Sequence, residues 1–238
     1  MICRNCSIEV NSKFCQECGL ATSLKRIDGQ YIIHEIKHAL HFEHGFLFTI
    51  RELITNPGLN IRNYLIENRS RLVKPIIFII VTSLVYSLCN LFFHFEDGYV
   101  QHLDNKKSTT SEIFKWVQSH YGYANIIMGI FIAWWTQLFF KKHKYNFFEI
   151  LILLCFVMGM GMLIYSIFGF FQGLTKIKLM QVGAIAGLIY TTWAVGNFFD
   201  ERKISSYIKS FLAYILGMIT FTLIIIAIGT LIDMATAS

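Results

Sequence analysis

Five stretches of this chain are apolar on all sides over twenty or so residues, at 75–95, 121–140, 147–171, 179–199 and 207–232. A helix rising about 1.5 Å per residue needs about 20 residues to cross the hydrocarbon core of a bilayer. Each stretch therefore predicts a transmembrane helix. The first carries no Asp, Glu, Lys or Arg and opens on Pro75, which suits a first helical turn because its missing N–H has no partner there. Ahead of these spans the pattern is amphipathic. Ile32, Ile33, Ile36, Ala39 and Leu40 share one helical face, and His34, His38 and His41 lie opposite. Asn56-Pro57-Gly58 then breaks the chain. A second amphipathic stretch follows to Lys74, with Ile61, Tyr64 and Leu65 free to face lipid or the bundle, and with Arg62, Arg69, Arg71 and Lys74 flanking the first span.

Composition agrees with lipid as the solvent. Only 15% of the 238 residues are charged, and mean hydropathy is +0.51. No cleavable leader is expected, since the N-terminus opens on cysteines and not on a basic, then apolar, run. The formal charge of +6 could signal nucleic acid, so its placement decides. Lys and Arg number ten in 1–74, three in 141–146 and three in 200–209, against three in 96–120 and two in 172–178. Sixteen against five places the N-terminus in the cytosol. With five spans the C-terminus lies outside.

The N-terminus reads Cys3-Arg4-Asn5-Cys6, then Cys15-Gln16-Glu17-Cys18-Gly19. Two CxxC pairs let four thiolates converge on one ion, and a tetrahedral thiolate site at about 2.3 Å favours Zn²⁺. Cys3, Cys6, Cys15 and Cys18 are the expected metal ligands. A cytosolic location argues against structural disulfides, and four protein ligands leave no open position for substrate. With only Ile8, Val10, Phe14 and Leu20 to pack, such a module depends on its metal to fold. The three histidines could bind a metal too, although a polar face at headgroup level accounts for them.

Within the spans ionisable groups are nearly absent. Glu149, Asp233 and His94 lie at span ends, which argues against a pump with an acidic relay. Gly183 and Gly187, like Gly169 and Gly173, are spaced for close helix approach, which serves packing within one chain as readily as a homo-oligomer. Cys89 and Cys155 read as inert buried thiols. Asn125, Gln137 and Asn197 are candidates for bonds between helices.

The order of features resembles a family of uncharacterised bacterial membrane proteins, a domain-of-unknown-function family with an N-terminal zinc ribbon. The resemblance is carried by Cys3, Cys6, Cys15, Cys18 and Gly19, by Thr49, Leu53, Pro57-Gly58, Ile61-Arg62, Tyr64-Leu65, Arg69 and Lys74-Pro75, and by Tyr145-Asn146 and Glu149. The chain departs from it at Glu67-Asn68 and at Ile150, where the family pattern has Gly-Lys and His. The resemblance implies membership and a zinc ribbon and brings no activity with it; the expected location is the bacterial inner membrane.

The expected fold is thus an all-α polytopic membrane protein of about five transmembrane helices over 75–238. It is preceded by a cytosolic zinc ribbon at 1–24 and amphipathic, juxtamembrane helices at 25–74. The expected function is that of an adaptor or regulator whose zinc ribbon docks a cytosolic protein. The alternative is a small channel or a solute or lipid transporter with a regulatory head. Nucleic acid is disfavoured, because Arg4, Lys13, Lys25 and Arg26 are interspersed with Glu9, Glu17 and Asp28. An enzyme is disfavoured too, since no HExxH, GxSxG, Walker loop or intramembrane carboxylate pair occurs.

Overall fold

The computed structural model describes residues 6, 8–9, 15–17, 45–95 and 109–237. The chain divides into two compact units, Met1–Glu43 and His44–Ser238. In the first, the described residues form turns at Cys6 and at Gln16-Glu17, with Glu9 in an isolated bridge. His34, His38 and His41 lie outside the described residues.

The second unit is helical: α1 (Phe46–Thr55), α2 (Pro57–Ile66), α3 (Pro75–Phe93), α4 (Thr109–Ser119), α5 (Tyr121–Phe139), α6 (Phe147–Thr175), α7 (Met180–Asp200) and α8 (Ile204–Ala237). No strand occurs among the described residues. α3, α6, α7 and α8 are long and apolar enough to cross a membrane. α5, of 19 residues, is apolar over Tyr123–Phe139. All five expected spans thus coincide with helices to within a few residues. The short α4, in the segment between the first two spans, was not expected.

α6 lies at the centre, against α3, α5 and α7. α3 and α8 keep most of their apolar surface outward. On α3, Ile76, Ile80, Leu84 and Leu88 recur every four residues as an exposed stripe. Contiguous exposed apolar surface on this scale marks a contact with lipid or protein rather than water.

Successive long helices run back and forth, so their ends sort into two groups. At one end Phe140 stacks on Phe199 at 3.8 Å, Tyr145 lies 4.8 Å from Phe198, and Lys209 stands over the Phe140 ring. The connections carrying Lys141, Lys142, Lys144, Arg202 and Lys203 are gathered here. At the opposite end Asp233 of α8 accepts from the Thr109 amide at 2.9 Å and from the Thr109 hydroxyl. A carboxylate there opposes the positive N-terminal end of the α4 dipole.

The small-residue pairs are filled from within the chain. A Cβ on Gly183 would meet Phe168 at 2.9 Å, and one on Gly187 would meet the Tyr165 hydroxyl at 2.9 Å. The short connection from α6 to α7 turns on Lys176, whose φ of 57° is left-handed. Gln172 then accepts from the amides of Leu179 and Met180 at 2.8 and 3.0 Å and donates to the Phe95 carbonyl at 3.1 Å. One side chain thereby covers the first donors of α7 and ties α3 to α6. Replacing Gln172 by Leu strands those amides and is expected to lower stability by about 1–3 kcal/mol. Lys176→Gly, which relieves the left-handed backbone, is expected to raise it by about 1 kcal/mol. Reversible unfolding in mixed micelles reads both.

Candidate functional site

The residues that gave the stretch before the first span its distinct pattern meet in one place. α1 and α2 form a helical hairpin around Asn56, and their apolar faces pack on the long helices. Thr49, Leu53 and Ile61 are fully buried. Phe46 lies against Phe78 of α3, and Tyr64 meets Phe156 of α6 edge-on. Of the two faces open to Ile61, Tyr64 and Leu65, the structure selects the bundle.

The turn of the hairpin leaves few backbone groups unpaired. The Asn56 side chain accepts from the Leu59 amide at 3.2 Å, capping α2 as Asn does at such positions. Pro57 has no N–H to satisfy. The Gly58 amide donates to Oδ1 of Asn197 on α7 at 2.9 Å. Asn60 donates its side-chain amide to the Glu52 and Asn56 carbonyls. Because Pro57 cannot serve as the helical partner of the Leu53 carbonyl, Tyr190 of α7 does so, donating its hydroxyl at 3.0 Å.

Gly58 is needed for the approach itself. A Cβ there would stand 2.2 Å from Oδ1 and 2.4 Å from the carbonyl carbon of Asn197. One turn further on, Arg62 donates from Nη1 to the carbonyls of Asn197 at 2.8 Å and Phe198 at 2.6 Å. These carbonyls lie in the last turn of α7, where no intrahelical donor follows, and a cation there also opposes the negative end of the dipole.

Around this joint the remaining motif residues serve structure. The Thr49 hydroxyl accepts from the Val73 amide at 3.0 Å, fixing the entry to α3, and Arg71 pairs with Glu52 at 2.7 Å. Asn146 and Glu149 form a reciprocal capping box on α6. Burial pushes the Tyr145 phenol above its usual range, with Arg62 pulling it down and Glu149 pushing it further up. Ile150, where the family pattern has His, is 1% exposed. A histidine at that position would have to enter the core.

Of the three polar residues expected to link helices, Asn197 does so. Trp135 and Gln172 were not anticipated. Trp135 of α5 donates from Nε1 to the Thr220 hydroxyl of α8 at 2.9 Å. Its place at a span end reads as an interfacial anchor, and the sequence gives no sign of its partner.

Behind the hairpin lies a cavity of about 600 Å³ between α1, α3, α6 and α7. Ile50 and Ile54 close one side, and Cys89, Ser166 and Tyr190 supply the polar atoms on its wall. The Ser166 hydroxyl donates to the Met162 carbonyl and the Tyr190 hydroxyl to Leu53, so neither donor is turned inward. The cavity wall is thus almost wholly apolar.

In the N-terminal unit, the Cys6 and Cys15 sulfurs stand 3.4 Å apart, and Cys15 is buried. That separation exceeds the ~2.05 Å of a disulfide and lies within reach of one ion held at about 2.3 Å by each sulfur. Cys3 and Cys18 lie outside the described residues. Among the described residues, no three His, Cys, Asp or Glu side chains converge on a point.

Residues 43–87 match a family described as "Protein of unknown function (DUF3667)". The matched segment takes in α1, α2 and most of α3, and so covers the hairpin's side of the joint. No curated protein and no solved structure matches the chain.

Gly58→Ala is expected to separate α2 from α7 at a cost of about 1–3 kcal/mol. Asn197→Ala, which removes the acceptor of a buried amide, is expected to cost a similar amount, about 1–3 kcal/mol. Because both act on one contact, the double variant is expected to lose less than the two single losses together. A double-mutant cycle on unfolding in mixed micelles measures this.

Proposed function

We propose that this chain is a multi-pass membrane protein that acts as an adaptor or regulator. A zinc ribbon at its cytosolic N-terminus docks a protein partner. About five helices cross the bacterial inner membrane, and the C-terminus lies outside. The observation that carries this reading is the gathering of basic side chains at one end of an apolar bundle, beside a hairpin fastened to that end. Lysine and arginine are retained on the cytosolic side of membrane proteins, and they also hold that end against anionic lipid. A fastened hairpin gives the segment that precedes it a firm point of attachment. The sequence places the four-cysteine module in that preceding segment.

Cys3, Cys6, Cys15 and Cys18 would hold the zinc. When bound, the ion supplies folding energy to a module with few apolar residues; with four thiolate ligands it has no position for substrate. Its rigid knuckles then serve as a recognition surface. A second reading, a carrier of lipid or solute, draws support from the apolar cavity alone. Liposome flux that rises above background for one solute class would favour it.

The purified chain is expected to require detergent and to carry one zinc ion. Cys15→Ser is expected to lose most of the metal, measured by elemental analysis, while His38→Ala keeps it. Full metal content in Cys15→Ser would overturn the zinc assignment. Capture from native membranes by the full chain should recover a defined cytosolic protein that Cys15→Ser does not. Equal recovery by both would overturn the docking role.

A further inference from the structure

The cavity behind the hairpin has a charged neighbour. Ile50 and Ile54 line it from α1. Arg51 lies next to Ile50 and one turn before Ile54, and residues three apart are neighbours on a helix surface. Arg51 is exposed, and no acceptor for its guanidinium occurs among the described residues. The nearby Arg71 is engaged with Glu52, and Arg62 with the end of α7. Arg51 is therefore available to an external anion.

The cavity itself is elongated. On α6 its wall runs from Met160 to Phe171, a rise of about 16 Å along the helix axis. Ser166 and Tyr190 spend their hydrogens on carbonyls of the chain, so the wall offers a solute little but carbon. An apolar slot of this length, with a cation on the helix that closes one side of it, fits a hydrocarbon chain bearing an anionic group such as a phosphate.

We propose that this cavity is a phospholipid site, with one acyl chain lying along α6 and an anionic headgroup at Arg51. The α1–α2 hairpin forms part of its wall, so the occupant bears on the element that leads from the N-terminal unit into the bundle. The site rests on the membrane reading above, and the two fail in different ways. A chain that stays soluble without detergent would remove both. A membrane-embedded chain that binds phosphatidylglycerol no better than phosphatidylcholine would remove the site alone.

Native mass spectrometry of the full chain in mild detergent provides the test, with phosphatidylglycerol and phosphatidylcholine of equal chain length as probes. The wild type is expected to retain one phosphatidylglycerol in preference to phosphatidylcholine. Arg51→Gln is expected to lower phosphatidylglycerol affinity about tenfold, to the level of phosphatidylcholine. Ile167→Trp, on an exposed wall residue, fills the slot and is expected to abolish retention of both while thermal unfolding stays unchanged. Arg202→Gln, at the same end of the bundle, is expected to change nothing. The proposal is overturned if Arg51→Gln and Ile167→Trp bind as the wild type does. It is equally overturned if Arg202→Gln weakens binding as much as Arg51→Gln, since general surface charge would then account for the effect.

Discussion

The hydrogen bond from the Gly58 amide to Asn197 and the grip of Arg62 on the last carbonyls of α7 decide how the hairpin sits. Two helix ends meet at this point, the start of α2 and the finish of α7. Each brings backbone groups that its own helix cannot satisfy. Buried away from water, such groups cost about 1–3 kcal/mol apiece when left unpaired. Facing each other, they are satisfied by one asparagine and one arginine. A side chain at position 58 would hold the elements apart, which is why a glycine follows the proline. With the hairpin in place, Tyr190 reaches the carbonyl that Pro57 orphans and Thr49 reaches the entry to α3.

The helices themselves were legible in the sequence because membrane crossing sets a length and forbids charge. Spans at 121–140 and 179–199 could be placed from those two constraints alone, and the structure puts helices there. The hairpin was half legible. Asn56-Pro57-Gly58 announced a break, and Ile61, Tyr64 and Leu65 announced an apolar face. A periodic face does not name its partner, and lipid and protein interior are equally apolar solvents for it. What chose between them was a contact between Gly58 and Asn197, 139 positions apart, and no local pattern encodes that separation. The role of Gln172 is not legible for a similar reason, since a glutamine near a span end commonly faces the headgroups. The cysteine pattern is strong in sequence, yet only Cys6 and Cys15 of its four members lie among the described residues.

Among the residues that carry the resemblance to the uncharacterised family, those between 49 and 64 lie in or around the joint. Thr49, Leu53, Gly58, Ile61, Arg62 and Tyr64 each have a packing or hydrogen-bonding task that accounts for their chemistry. The segment matched by the family of unknown function, 43–87, is thus the helical hairpin with most of the long helix that follows it. These tasks leave functional chemistry to be sought beside the joint, at the cavity bordered by Ile50 and Ile54 and at the cysteine module that the sequence places before α1. An apolar cavity beside Arg51 and the zinc-binding head proposed above are different devices. Both connect to the bundle through α1.

Everything in this picture requires the hairpin to be a fixed part of the bundle and not a helix pair resting on the membrane surface. Hydrogen–deuterium exchange on the full chain in nanodiscs measures that directly at peptides spanning 57–66 and 195–200. The expected result is slow exchange in both, with the 57–66 amides protected to a degree comparable with the centre of α6. Exchange of 57–66 within seconds, while α6 remains protected, would contradict it.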